Sequence, residues 1–178
     1  RFLSAEYIPE DGVIVTVSRL VSVKRVDLLL KSLAELKKKK ENVHLIIVGD
    51  GPLRRELEVM SLSLGIEQNV TFVGFVDPLP YLKRVKTFAL LSAHEGWGVA
   101  AVEAALMGIP VVMTNTGCAN WLRARVDASL VETDRPEVIA DILDGSLNKA
   151  SKKLVHLFSP LESARAQVDE WKKYLSQA

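Results

Sequence analysis

Short, continuously apolar segments alternate with helix-like segments along almost the whole of this 178-residue chain. The apolar segments are rich in β-branched residues and show little polar alternation, which is typical of strands that are buried on both faces. Strands of this kind, each followed by a helix, predict an α/β fold: a Rossmann-like, doubly wound parallel sheet of about six strands with helices on both faces. The predicted strands are residues 13–18, 43–48, 70–73, 87–91, 110–114 and 129–131.

The predicted helices follow from apolar side chains spaced three and four residues apart. We find no internal repeat and no low-complexity linker, so residues 1–178 are expected to form a single domain whose ligands bind at the carboxyl ends of the strands. Helices are predicted over residues 24–40, 53–64, 136–147 and 161–175, with a brief one near Tyr81 and an apolar one of about ten residues ending at Gly108.

Composition excludes several classes of function. A net charge of +1 gives no electrostatic reason to expect nucleic acid as a partner. No apolar run reaches the roughly 18 residues that a membrane-spanning helix needs. The single cysteine, Cys118, cannot form an internal disulfide and favours a reducing compartment, so we expect a cytoplasmic protein. Because the chain begins at Arg1 without a leader, we interpret it as an excised domain of a longer protein.

Two glutamates eight positions apart, Glu95 and Glu103, bracket the most informative segment of the chain. The helix predicted there is apolar all round, and carboxylates are rarely buried unless they are paired. Eight helical residues span about 12 Å, so the two carboxylates could hold opposite ends of a ligand of nucleotide-sugar length. The alternative is one capping glutamate and one core glutamate that is satisfied within the protein.

Cations follow the first predicted strand. Arg19 leaves the strand, and Lys24 and Arg25 stand where the next helix is expected to begin. Cations at that end of a helix oppose its dipole. A bound anion such as a diphosphate would explain them. The alternative is that Lys24 and Arg25 simply point into solvent. A second anion contact is expected at Gly96 and Gly98, where the backbone can approach a ligand closely.

Other motifs carry less weight. A Gly-x-Gly pair follows the second strand, but Arg54 stands where the dinucleotide fingerprint needs its third glycine. No Asp-x-Asp pair is available for a divalent metal, and one cysteine with three scattered histidines predicts no zinc site. His44 is interpreted as a structural strand residue, whereas His94 is a weaker candidate for lining the cleft. The lysine run 37–40 is interpreted as a solvated helix end, with an anionic membrane surface as the alternative.

Motifs in register along nearly the whole chain resemble the C-terminal, donor-binding domain of retaining GT-B glycosyltransferases. The family is the large group-1, glycogen-synthase-like one, which includes many mannosyl- and glucosyltransferases. The resemblance is carried by Val15–Leu20 with Lys24, Val26–Leu29, Val48–Leu53, Val70–Gly74, Glu95–Gly98 with Glu103, Gly108–Val112, and Phe158 with Ser159.

The resemblance implies a role for each matching position. Arg19 and Lys24 would neutralise the donor diphosphate and stabilise it as the leaving group. Backbone groups around Val76 would meet the base, Glu95 would hold hexose hydroxyls and Glu103 would hold the ribose hydroxyls. The backbone N–H groups close to the sugar and phosphate would come from Gly96, Trp97, Gly98 and Val99.

The resemblance also implies the reaction and its partners. The chain would bind a GDP- or UDP-hexose for glycosyl transfer that needs no metal or other cofactor and retains configuration. The N-terminal acceptor domain would be absent from this chain, so the fragment would be inactive alone. The full-length enzyme would serve polysaccharide or glycolipid biosynthesis in the cytoplasm, where peripheral association with the inner face of the membrane is compatible with its role. The alternative is a non-catalytic nucleotide-binding or assembly module on the same scaffold; an epimerase or phosphorylase fits less well.

The sequence departs from the family pattern in three places. Ser18 replaces a usual glycine beside the phosphate. After Thr114 the family usually has two glycines and then, three residues on, a glutamate, whereas here the run is Gly117-Cys118-Ala119-Asn120-Trp121. Residues 125–129 also lack the customary glycines. The edge of the site formed by these loops is therefore expected to differ from the family.

Overall fold

A six-stranded parallel sheet forms the centre of the protein in a computed structural model that describes residues 7–150. The strand order is β3-β2-β1-β4-β5-β6, so the chain winds outward in both directions from the β1–β4 pair. This is the doubly wound arrangement, and the predicted fold class is confirmed. The strands are β1 (Val13–Val17), β2 (His44–Val48), β3 (Val70–Gly74), β4 (Thr87–Leu90), β5 (Val111–Thr114) and β6 (Ala128–Val131).

Helices cover both faces of the sheet because side chains alternate between the faces along each strand. Ile14 packs in one core with residues of the first and last helices, whereas its neighbour Val15 packs in the opposite core with residues of the helix that carries Glu103. The helices are α1 (Val26–Lys37), α2 (Arg54–Ser63), α3 (Leu79–Leu82), α4 (Val99–Leu106), α5 (Ala119–Arg123) and α6 (Pro136–Leu147).

Two predictions about helices are wrong. The helix expected from residue 24 begins at Val26, because Ser22–Lys24 form a 3₁₀ turn and Arg25 has a left-handed backbone with φ of 52°. The five-residue α5 lies in a segment predicted to be loop, since one turn is too short to show apolar periodicity. The helix predicted over 161–175, together with Arg1, Phe158 and Ser159, lies outside the described residues.

The lysine run 37–40 is the solvated helix end that the sequence predicts, but two of its lysines are also paired with another helix. Lys39 and Lys40 form ion pairs with Asp141 and Asp144 of α6, so they join the two helices that pack side by side on one face. The hydrogen bond that Lys39 donates to Asp141 raises the pKa of its ammonium group. These pairs are exposed and each adds little to stability, but they leave the run less free to bind an anionic surface.

His44 is a structural residue of β2, as its place in an apolar strand predicted. Its Nε2 lies 2.8 Å from Thr71 Oγ1 on the neighbouring strand, and partial burial lowers the pKa of the imidazole. Within residues 7–150, no helix combines the length and the apolar character that crossing a bilayer would require.

Replacing Gly145 with alanine is expected to raise the free energy of unfolding by about 0.5–1 kcal/mol. Gly145 lies inside α6 on an exposed face, and a Cβ added there would meet no atom within 4 Å. The substitution therefore removes the entropic cost of a helical glycine without a clash. Urea denaturation of both proteins measures the change, and a less stable variant would contradict the prediction.

Candidate functional site

A cleft opens at the carboxyl ends of β1, β2 and β3, beside the point where the chain reverses its winding direction. Its volume is about 660 Å³, which suits a small-molecule ligand. Three residues predicted from the sequence line it together: Arg19 after β1, Val76 after β3 and Glu103 on α4. Ligands of doubly wound sheets bind at this kind of crevice.

Arg19 provides a positive charge in the cleft. Its side chain is exposed, and it makes no ion pair or hydrogen bond with any residue in the described part of the chain. Glu103 lines the same cavity from the middle of α4, whose other face is buried through Ala101, Ala104 and Ala105. The cleft therefore combines a carboxylate with a cation that has no partner within residues 7–150.

Lys24 and Glu95 form an ion pair instead of standing apart. Lys24 Nζ lies 2.6 Å from Glu95 Oε1, and the two side chains are 20% and 8% exposed. Arg25 is also paired, with Asp134 at 2.7 Å. The alternative that Lys24 and Arg25 point into solvent is therefore wrong.

The backbone explains how Lys24 reaches Glu95, which is 71 residues away in sequence. The 3₁₀ turn Ser22–Lys24 redirects the chain after β1, and the turn is held against the segment after β4 by a hydrogen bond from Ala93 N to Val23 O of 2.8 Å. No local pattern in the sequence signals this contact, because it depends on β1 and β4 being neighbours in the sheet.

The Gly49-Asp50-Gly51 loop supports the segment that carries Arg19. Gly49 has φ of 138°, and a Cβ added there would lie 1.9 Å from Ser18 O. Leu20 N also donates a hydrogen bond to Asp50 O at 2.9 Å. The Gly-x-Gly pair therefore allows two loops to touch, which is a role that the sequence did not reveal.

The loop before α4 presents backbone donors. Gly98 stands at the N-cap with φ of 86°, and no side chain caps the helix. Within residues 7–150, the N–H groups of Val99 and Ala100 donate to no protein acceptor, because the first bonds of the helix start at Ala101. Gly96 and Val99 are exposed beside Trp97. A helix start of this kind can bind negatively charged groups.

The loop after β5 packs directly on the glutamate segment. A Cβ on Gly117 would lie 2.8 Å from Trp97 O and 2.9 Å from the Glu95 Cβ, so this position requires glycine. The rings of Trp97 and Trp121 are 6.1 Å apart, and the Arg125 guanidinium covers Trp121 at 4.7 Å. The aromatic ring of Trp121 therefore packs beside the loop that carries Glu95 and Trp97.

Two other cavities in the described part of the chain are lined by none of the site residues predicted from the sequence. Among the residues described, no cluster of three His, Cys, Asp or Glu side chains is placed to hold a metal ion. His94 is exposed near the exit of β4 and does not line the 660 Å³ cleft. A second cavity of about 410 Å³ lies at the opposite edge of the sheet, lined in part by Arg123, Arg125 and Asp127.

Residues 5–157 match the family model described as "Glycosyl transferases group 1". An uncharacterized glycosyltransferase of Methanocaldococcus jannaschii is 30% identical over 135 residues, covering 74% of this chain and 34% of the relative. The GDP-mannose-dependent alpha-(1-6)-phosphatidylinositol monomannoside mannosyltransferase of Mycobacterium tuberculosis is 32% identical over 120 residues, with 62% and 31% covered. The chain spans about a third of the length of these relatives.

Solved structures share the fold. HepE of Anabaena in complex with UDP and glucose is 29% identical, with a TM-score of 0.70 over 78% of this chain and 39% of that protein. TarM has a TM-score of 0.79 and covers 93% of this chain and 36% of its own, but at 22% identity it supports the fold alone.

Proposed function

Because this chain belongs to the group 1 glycosyl transferases, we propose that it is the donor-binding domain of an enzyme that transfers a hexose from a nucleoside diphosphate sugar. One observation carries the proposal. Arg19, Val76 and Glu103 come from three separate parts of the chain, and they line one cleft of nucleotide size at the switch point of the sheet. A site for a nucleoside diphosphate requires a cation for the phosphates, a segment that contacts the base, and a group that accepts hydrogen bonds from the ribose hydroxyls.

Each part of the donor then has a partner. Arg19 binds the diphosphate, backbone groups near Val76 contact the base, and Glu103 accepts hydrogen bonds from the ribose hydroxyls. Glu95 holds hydroxyls of the hexose, and Lys24 lies against it, where it contributes positive charge beside the sugar. The unpaired N–H groups at the start of α4 add further donors for the phosphate and the sugar.

The named ligands of similar proteins support this class of donor. HepE was crystallised with UDP and glucose, and the mycobacterial relative is named as GDP-mannose-dependent. We therefore propose a UDP- or GDP-hexose as the donor. Several relatives are named for lipopolysaccharide or polysaccharide biosynthesis, which supports polysaccharide or glycolipid synthesis as the role of the enzyme. We propose that the enzyme is cytoplasmic and that its full-length form associates peripherally with the inner membrane face.

The chemistry is a displacement at the anomeric carbon. The bond between that carbon and the diphosphate oxygen breaks, and the diphosphate leaves with the electron pair. An acceptor hydroxyl on the same face of the sugar forms the new glycosidic bond and passes its proton to the departing diphosphate oxygen. Arg19, Lys24 and the α4 N–H groups stabilise the negative charge that develops on the diphosphate. We propose that these groups make the transfer metal-independent and that it proceeds with retention of configuration.

The acceptor is proposed to bind to an N-terminal domain outside this chain. One wall of the cleft would then be missing here, so the chain alone should bind the donor weakly and transfer the sugar at a negligible rate. Easily measured multiple turnover by the chain alone would contradict this part of the proposal.

Calorimetric titration with UDP, GDP and ADP tests the proposed function. We expect binding with a preference for one base, whereas no binding of any of them would favour a non-catalytic assembly module. The ribose contact is tested by comparing the preferred nucleotide with its 2′-deoxy form. The wild type should prefer the ribonucleotide, and Glu103→Gln should reduce that preference several-fold, because the amide accepts hydrogen bonds less strongly than a carboxylate.

A further inference from the structure

The Glu95 carboxylate is held through one of its two oxygens. Lys24 Nζ and Ser92 Oγ each donate a hydrogen bond of 2.6 Å to Oε1. Both donors are fixed near the exits of neighbouring strands, since Lys24 follows β1 and Ser92 follows β4. Two short hydrogen bonds to the same oxygen, one of them from a cation, fix the orientation of the group.

The second oxygen, Oε2, accepts no hydrogen bond from any residue of the described range 7–150. It also reaches solvent. In that range the one buried side-chain polar atom without a hydrogen-bond partner is Ser18 Oγ, so Oε2 is not enclosed by the protein. The carboxylate therefore keeps one oxygen for the protein and one for a ligand.

Ser92 is itself held firmly in place. The residue is 0% exposed, and its carbonyl accepts a 2.6 Å hydrogen bond from Thr114 Oγ1 at the end of β5. A serine hydroxyl has one hydrogen to donate, and here that hydrogen goes to Glu95. Because Ser92 is fully buried, it acts on a ligand through Glu95 and not by contact.

We propose that Ser92 is a positioning residue, which holds Oε1 of Glu95 so that Oε2 faces the donor and accepts a hydrogen bond from a sugar hydroxyl. The inference rests on the proposed function only for the identity of the ligand. Within residues 7–150 no other group has to move, because the hydrogen bonds from Lys24 and Ser92 already fix the orientation of the carboxylate.

Ser92→Ala tests the inference through the sugar part of the donor. The variant should bind UDP-glucose about tenfold more weakly than the wild type, while UDP, which lacks the hexose, should bind within about twofold of the wild type. GDP-mannose and GDP replace this pair if the wild type prefers guanosine. Ser32→Ala is the matched control, since Ser32 is also 0% exposed and donates its hydroxyl to a carbonyl inside α1. It should bind both ligands as the wild type does.

Three results would overturn the inference. Equal weakening of UDP and UDP-glucose would show that Ser92 supports the whole cleft, and unchanged binding of both would show that the hydroxyl has no role. If the wild type binds no nucleotide, the proposed function fails, and a crystal structure of Ser92→Ala then decides the positioning role. The carboxylate of Glu95 should turn away from its wild-type position, and a carboxylate that stays in place on Lys24 contradicts the inference.

Discussion

Replacing Arg19 with alanine will weaken the binding of a nucleoside diphosphate to this chain about a hundredfold. Hydrogen bonds to charged groups contribute about 1.5–3 kcal/mol each, and a hundredfold loss is about 2.8 kcal/mol, which corresponds to at least one such bond from the arginine to a phosphate. The Arg19 side chain has no partner among the residues described, so its removal leaves no protein group unsatisfied. The loss should therefore appear in ligand affinity and not in the free energy of unfolding.

Arg123→Ala is the control for this experiment. Arg123 is also exposed, and it lines the cavity at the opposite edge of the sheet. Its replacement by alanine removes the same charge from the protein as Arg19→Ala does. Calorimetry at low ionic strength should show wild-type affinity for Arg123→Ala and a large loss for Arg19→Ala. Equal affinities in the two variants would exclude Arg19 from the diphosphate site.

Replacing Gly49 with alanine is expected to lower the free energy of unfolding by about 3–5 kcal/mol, a range typical of severe backbone conflicts. The new Cβ would lie 1.9 Å from Ser18 O, and a backbone atom cannot turn away as a flexible side chain can. The φ of 138° adds strain of its own. Relief requires the β1 and β2 exits to separate, so Arg19 should also move and nucleotide affinity should fall.

Gly65→Ala separates the steric clash from the backbone strain. Gly65 also has a positive φ, of 66°, but an added Cβ there meets nothing within 4 Å. The free energy of unfolding of this variant should fall only by the cost of an alanine in the left-handed conformation, about 1–2 kcal/mol. Urea denaturation measures the free energy of unfolding of both variants. If Gly49→Ala loses no more stability than Gly65→Ala, the steric clash is refuted.

The strands could be predicted because a central parallel sheet is apolar on both faces. All four residues of β4 and of β5 are buried, and in each strand three successive apolar residues stand beside a single threonine. Helix starts were predicted less well. The left-handed backbone at Arg25 is not favoured locally, and it delays α1 until the chain has made its turn beside β4.

The cleft was predictable to the extent that strand ends define it. Arg19 follows β1 and Val76 follows β3, which are separated only by β2, and the sheet brings both residues together with Glu103. The contact between Lys24 and Glu95 was not predictable, because it depends on the strand order and on a 3₁₀ turn. Sequence reasoning gave these two residues separate roles, and it missed Ser92, whose only signal was its place three residues before a glutamate.

The ion pair between Lys24 and Glu95 has a consequence for selectivity. The Glu95 carboxylate neutralises the Lys24 ammonium group within the ion pair, so the pair carries no net charge that would attract an inorganic anion. Inorganic phosphate could compete for the ammonium group but would leave the carboxylate without compensation. A nucleoside diphosphate sugar carries both a diphosphate, which can bind the ammonium group, and sugar hydroxyls, which can bind the carboxylate. The pair should therefore favour the complete sugar nucleotide over free phosphate.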